Sequence, residues 1–243
     1  GSHWGLDAPR RKIASAGALI HRLDNNYSHW AADAACMIGN AKAFGLPVPN
    51  IGSRRRVFIQ SMSDLFDLEV PLGWFTEAWG LIESCNRLAI QIVTKRVSAV
   101  EKRLASISRT QWPRHAGLMI TVVNQAEADR DIDRLLALKS SMDIPWVGLS
   151  IEPMLGAIDL SKWINSIDWV ICGGESGSDA RPLDPDWARS LRDQCAASDV
   201  PYLFKQWGAF VPEARGRYRK VPKKVAGRLL DGVEHNGFPQ VSA

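Results

Sequence analysis

Two carboxylates, Glu152 and Glu175, each directly follow a short apolar run, in the strings Ser150-Ile151-Glu152-Pro153 and Gly173-Gly174-Glu175-Ser176-Gly177. Other apolar runs also end in polar strings: Gln60-Ser61-Met62-Ser63-Asp64, Thr94-Lys95-Arg96, Asn124 and Lys205-Gln206-Trp207. Where parallel strands end, their carboxyl termini converge and the following helices aim backbone N–H groups at the same opening, so polar groups there share one rim. The rim so predicted comprises Ser63, Asp64, Thr94, Lys95, Arg96, Asn124, Glu152, Gly173, Gly174, Glu175, Ser176, Lys205 and Gln206, with Arg181 close behind. Its carboxylates can hold a ribose, an amine or, with Asp64, a metal ion; with Lys95, Arg96 and Lys205 they can equally close an ion-pair ring. Lys95 and Arg96 open a predicted helix, the end that favours anions. They point to a bound anion or an acid partner, unless they are merely a solvated first turn. Gly173-Gly174 with Ser176 and Gly177 either makes a tight turn or lets backbone N–H groups approach a ligand. Asp64 either contacts the ligand or caps the turn before Leu65. Trp207, beside Lys205, either stacks on a base or ring or simply packs.

The elements that must position these groups are short. Val57–Met62, Ala89–Thr94, Leu118–Val123, Pro145–Ile151, Trp169–Cys172 and Tyr202–Phe204 are apolar and too brief for core helices, and they read as strands buried on both faces. Between them lie amphipathic patterns over Phe75–Asn86, Val97–Ile107 and Gln125–Lys139, and a helix over Pro185–Cys195 with Asp184 as N-cap and Pro185 at its first position. The strand spacing of roughly 30 residues is that of a βαβ unit. Unbroken strand–helix alternation without a Gly-rich dinucleotide loop predicts an α/β fold, a parallel (β/α) barrel or partial barrel. The predicted organisation is a helical and loop segment over 1–55 (a helix at His29–Phe44, a Pro/Gly loop at Gly45–Ser53), a barrel core over 56–208, and a basic tail over 209–243 that wraps over the barrel or folds on a partner.

Composition excludes little beyond a membrane span. The 46% hydrophobic content suits a globular core, and no stretch approaches the roughly 18 consecutive apolar residues of a spanning helix. No signal peptide is visible, so the expected location is cytoplasmic. Cys36, Cys85, Cys172 and Cys195 lack metal-clip or redox spacing and read as reduced, buried thiols. His3, His21, His29, His115 and His235 lack metal-ligand spacing, so no metal is assigned. The net charge of +4 is uneven. Arg215, Arg217, Arg219, Lys220, Lys223, Lys224 and Arg228 follow one another without an acid among them, and Arg54-Arg55-Arg56 and Arg10-Arg11-Lys12 form smaller clusters. Such runs either hold nucleic-acid phosphates or are solvated surface.

Several strings resemble an uncharacterised bacterial and phage family, the phage gene-product thirty-seven/sixty-eight or three-Cys-motif proteins. They are Trp4-Gly5-Leu6-Asp7-Ala8-Pro9-Arg10-Arg11, Arg55-Arg56-Val57-Phe58, Ser61-Met62-Ser63-Asp64-Leu65-Phe66, Thr94-Lys95-Arg96 and Glu152-Pro153-Met154-Leu155-Gly156. Trp169-Val170-Ile171-Cys172-Gly173-Gly174-Glu175-Ser176-Gly177, Ala180-Arg181-Pro182, Lys205-Gln206-Trp207-Gly208 and Ala226-Gly227-Arg228-Leu229-Leu230-Asp231-Gly232 continue the likeness along nearly the whole chain. That family resembles radical S-adenosylmethionine enzymes. The resemblance implies a partial barrel of that type, S-adenosylmethionine and a [4Fe–4S] cluster in full-length members, and a three-Cys-motif partner protein encoded nearby. The cluster needs several thiolates close together, and this sequence starts after the place where the family's three cysteines stand. Either the sequence is truncated or this member has lost the chemistry. A missing first strand would expose a sheet edge beside Val57–Met62, which Ala14–Ser53 could cover.

The leading expectation is a truncated or degenerate radical S-adenosylmethionine-like protein of unknown substrate that holds no cluster of its own, with Asp64, Lys95, Glu152, Glu175 and Lys205 at cofactor or substrate. The alternative is a non-catalytic barrel module that binds nucleic acid or protein through the basic tail. A metal-independent barrel enzyme using Gly173–Gly177 as a phosphate loop is the third reading.

Overall fold

The computed structural model describes residues 55–59 and 63–239, apart from the side chains of Arg55, Lys223 and Lys224. The segment predicted over 1–55, with Cys36, therefore lies outside the described residues except for Arg55, as does the Gln60–Met62 end of the first predicted strand.

Each predicted strand is a strand, within a few residues. They are β1 (Arg55–Ile59), β2 (Leu88–Thr94), β3 (Ala116–Thr121), β4 (Val147–Ile151), β5 (Trp169–Gly173) and β6 (Tyr202–Gln206). All six lie in one sheet in chain order, every neighbouring pair parallel. Strands β2 to β5 are buried along their whole length, which explains why they read as unbroken apolar runs. The crossovers are α1 (Leu72–Ser84), a 3-10 turn at Val97–Ala99 leading into α2 (Val100–Ala105), α3 (Gln125–Met142) and α4 (Pro185–Ala197). Helix α4 begins as expected: Pro185 is its first residue and Asp184 Oδ1 accepts the Asp186 N–H at 2.9 Å.

The expected strand–helix alternation fails once. Between β4 and β5 there is only a 3-10 turn, Ile164–Ser166. Pro153 and Gly156 discourage a helix there, and the segment satisfies its backbone from neighbouring helices. Gln125 of α3 exchanges hydrogen bonds with Asp159, accepting its N–H at 2.7 Å. Gln194 of α4 accepts the Leu160 N–H at 2.7 Å and donates to the Ile158 carbonyl at 3.0 Å. Met154, Ile158, Leu160, Trp163, Ile164 and Ile167 are buried, so this loop covers the sheet as a helix would.

Two apolar layers flank the sheet. On the helical face Ile90, Ile92, Leu118, Ile120, Val147, Leu149 and Val170 meet Phe75, Trp79, Leu104, Ile132, Leu135 and Leu191. On the other face Phe58, Val93, Met119, Trp146, Trp169, Ile171 and Leu203 form a separate cluster with Phe238 of the tail. Six flat strands would hold the outer two about 24 Å apart at ~4.8 Å per step. Yet Lys205 Nζ of β6 lies 5.4 Å from the ring centroid of Phe58 in β1. The sheet is therefore curled into a half-barrel, with the smaller cluster on its concave side.

The tail folds on the chain itself. A hairpin of β7 (Phe210–Pro212) and β8 (Tyr218–Lys220) is followed by α5 (Lys223–Ala226) and a second hairpin, β9 (Leu229–Leu230) and β10 (Val233–Glu234). The chain then covers the free edge of β6: Asn236 bridges Leu203, Phe204 N–H donates to the His235 carbonyl at 3.1 Å, and Gly237 N–H donates to the Tyr202 carbonyl at 2.8 Å. Phe238 lies on Trp169, ring centroids 5.3 Å apart, and under the guanidinium of Arg56 at 3.5 Å. The tail thus ties β6, β5 and β1 together. Among the described residues no helix is long and apolar enough to cross a membrane.

Candidate functional site

The carboxyl ends of β4, β5 and β6 bring several predicted residues together. Glu152 follows β4, and its carboxylate accepts from Lys205 Nζ at 2.6 Å and Gln206 Nε2 at 2.8 Å. Adjacent strand residues ordinarily point to opposite faces, yet both of these reach one carboxylate. A bulge in β6 is the reason: Cys172 pairs with Phe204 but Gly173 pairs with Gln206, so one residue is skipped. The Gln206 amide also donates to Ser176 Oγ at 3.3 Å. The Glu152 side chain is 16% exposed and that of Lys205 42%, so the pair opens to water on its cationic side.

Gly174 is required by the fold, and Gly173 is close-packed against Glu152. A Cβ on Gly173 would stand 3.3 Å from three atoms of the Glu152 side chain, and one on Gly174 would stand 2.0 Å from the Trp207 carbonyl oxygen. The Gly174 N–H is engaged by the Gln206 carbonyl at 2.9 Å. Glu175 turns to Arg181, which gives it two guanidinium N–H groups and a backbone N–H at 2.7–2.8 Å. The Arg181 hydrogen bond holds the Glu175 carboxyl down at about 2.

A second station lies at the end of β2. Asp64 accepts the Thr94 hydroxyl at 2.7 Å, the Lys95 N–H at 2.8 Å and the Phe66 N–H at 3.0 Å, stapling the β1–α1 loop to β2 and capping the turn after it. Ser63 precedes it, half-buried. Thr94 Oγ1 in turn accepts the Arg96 N–H at 2.8 Å. Arg96 has the acid partner its position demanded, Asp67 at 2.8 Å, which lowers the Asp67 carboxyl below its usual range. The Lys95 ammonium is exposed and has no acid partner among the described residues. Asn124 is the N-cap of α3: its Oδ1 accepts the Glu127 N–H at 3.0 Å while Glu127 accepts the Val123 N–H at 3.0 Å. The Asn124-x-x-Glu127 spacing is a capping-box signature that accounts for this residue without a ligand. Trp207 packs rather than stacks in the open: it is buried, edge-on to Phe204 at 4.8 Å, and its Nε1 donates to the Leu229 carbonyl.

Three groups on the concave wall went unread as site residues. Gln91, Thr121 and Ser150 are buried polar side chains that share strand parity with Val93, Met119 and Trp146. A glutamine inside the otherwise apolar Leu88–Thr94 run was the signal for the first.

The described thiols do not fit an iron–sulfur cluster. Cys172 and Cys195 are buried in the helix-facing core, where desolvation pushes both thiols up to about 12, and Cys172 Sγ sits 3.7 Å from Met154 Sδ. Cys85, partly buried after α1, is also raised by burial. Among the described residues no group of three His, Cys, Asp or Glu is arranged to hold a metal ion.

The basic tail is less free than its sequence suggests. Arg219 pairs with Glu213 at 2.8 Å, Arg228 bonds Asn236 and lies 3.8 Å from Glu234, and Lys220 Nζ donates to the Ser178 carbonyl at 2.7 Å. Lys223 and Lys224 contribute their backbone to α5, their side chains lying outside the described set. Arg215 and Arg217 are exposed at the tip of the first hairpin.

A model of one protein family spans residues 15–239. The chain belongs to that family, described as "Protein of unknown function (DUF5131)". No curated protein and no solved structure matches the chain.

Proposed function

We propose that this chain is a ligand-binding partial barrel of the radical S-adenosylmethionine type, related to the phage gene-product thirty-seven/sixty-eight proteins, that takes S-adenosylmethionine at its strand-end rim. The observation that carries the reading is the convergence of Glu152, Lys205, Gln206 and Ser176 beside Phe58, at the mouth of the concave face and at the carboxyl ends of parallel strands. A zwitterionic nucleoside suits these groups. Glu152 is placed to accept from ribose hydroxyls or the ligand ammonium, the unpaired Lys95 ammonium to hold the carboxylate, and Phe58 to lie against the sulfonium or the base. Lys205 and Gln206 hold the Glu152 carboxylate in place. The reading includes no cluster chemistry, because the described cysteines do not fit one.

Isothermal titration of the full chain with S-adenosylmethionine tests it. Saturable binding is expected, weakened at least about tenfold, or ~1.4 kcal/mol, in Glu152→Ala and in Lys95→Ala, with unchanged far-ultraviolet circular dichroism. An absence of heat at millimolar ligand, or equal affinity in all three proteins, would refute it.

A further inference from the structure

We propose that the β7–β8 hairpin is a nucleic-acid-binding element, with Arg215 and Arg217 at its tip contacting the phosphodiester backbone. The residues between the strands are Glu213-Ala214-Arg215-Gly216-Arg217, all exposed. The loop is closed by the Glu213 N–H on the Arg217 carbonyl at 2.8 Å. Arg215 lies in the left-handed region at φ 62°, followed by Gly216 at φ 70°. A long cationic side chain rarely occupies that conformation, where Gly or Asn meets least resistance. Strained positions of this kind are concentrated at working surfaces.

Charge at the tip is arranged to match. Glu213, the tip's own acid, is neutralised by Arg219 at 2.8 Å, and neither Arg215 nor Arg217 has an ion-pair partner among the described residues. Arg217 lines a cleft with Asp184, Asp186 and Glu213 and Arg215 is exposed; without a direct ion pair, both are left to meet an outside anion. The hairpin's base is fixed, since Ala209 N–H donates to the Glu175 carbonyl at 2.7 Å, Val221 N–H to the Ala209 carbonyl at 2.9 Å, and Lys220 Nζ to the Ser178 carbonyl at 2.7 Å. The base thus stands on the loop after β5, and the tip reaches the start of α4, where Gly216 and Arg217 line a cleft with Pro185 and Arg189. Guanidinium groups on a rigid two-stranded ribbon suit phosphate contact. The tip carries no large apolar side chain to enter a bilayer, which favours nucleic acid over a lipid surface.

Fluorescence anisotropy with the full chain tests this, using a labelled oligonucleotide as single-stranded DNA, duplex DNA and RNA, over a salt series. Binding is expected to fall with salt. Arg215→Gln/Arg217→Gln should bind at least about tenfold more weakly, with a log–log salt slope shallower by about 1.4 on a single strand or about 1.8 on a duplex. The strongest arm identifies which nucleic acid is bound. An equal loss of charge elsewhere, Arg87→Gln/Lys102→Gln, should leave affinity unchanged, and the tip variant should titrate S-adenosylmethionine as the parent protein does. Absence of binding at low salt, an equal effect of the two double variants, or binding to anionic vesicles but not to nucleic acid overturns the proposal, whatever the rim binds.

Discussion

Replacing Gly117 with alanine should be among the most damaging single-methyl additions in the sheet. Gly117 lies in β3, and the Trp146 indole lies across it: a Cβ there would stand 1.9, 2.2 and 2.3 Å from three ring atoms. Ordinary carbon contacts are about 3.5–4.0 Å, so the indole would have to retreat by roughly 1.5 Å. Its retreat is blocked on one side by Trp169, edge-on with centroids 5.9 Å apart. The cost should therefore lie at the top of the overpacking range, about 3 kcal/mol, against a backbone gain near 0.5 kcal/mol for removing a strand glycine. Trp146→Ala alone should cost about 3–5 kcal/mol through the hole it leaves. Trp146 Nε1 is buried without a hydrogen-bond partner among the described residues, so no lost hydrogen bond enters that figure. In the double variant the new methyl meets empty space, and its cost should vanish. Urea unfolding followed by circular dichroism measures all four proteins, with a constant m-value as the check that one transition is being compared. A coupling of about 2–3 kcal/mol is expected. Additivity within about 0.5 kcal/mol, or a cost for Gly117→Ala below about 1 kcal/mol, would refute the packing that floors the concave face.

Acid should unfold the chain partly through Glu175 and Asp231. Arginine hydrogen bonds hold both carboxyls down at about 2, below their ordinary 4.5 and 3.8, so the stability they contribute is complete above about pH 4.5 and lost as pH falls towards 2. Arg181→Met should flatten the thermal-midpoint curve over that interval, and an unaltered slope would count against the pair. A Cys36→Ser/Cys85→Ser variant should show no thiol reactive to a disulfide reagent until urea unfolds it, because Cys172 and Cys195 are buried with thiols near 12; prompt reaction of either would contradict that burial. Phe238→Ala should lower stability by about 2 kcal/mol through loss of its contacts with Trp169 and Arg56, measured as a thermal-midpoint shift, and no shift would mean the tail does not hold the outer strands.

Much of the sheet was legible because parallel strands covered on both faces must be short, apolar runs at βαβ spacing, as Leu88–Thr94 and Trp169–Gly173 are. The start of α4 was legible because Asp184-Pro185 meets a local geometric need. The rim was legible only as a set of positions, since strand ends converge in any parallel fold. What those residues do there depended on which partner each one meets, near in the chain or far from it. Arg96 finds Asp67 and Glu175 finds Arg181, which turns rim charges into ion pairs, while Asn124 is a helix cap.

The sequence by itself determined the succession of strands, the strand-end positions of the polar groups and the acid-free basic run, because each follows from local spacing and residue type. Tertiary structure alone decided three things. A bulge in β6 lets Lys205 and Gln206 share Glu152. Glutamines of α3 and α4 hold the β4–β5 segment in place of a helix. Curling of the sheet brings Lys205 over Phe58. Each depends on groups distant in sequence meeting at hydrogen-bond or van der Waals range, which local spacing does not encode.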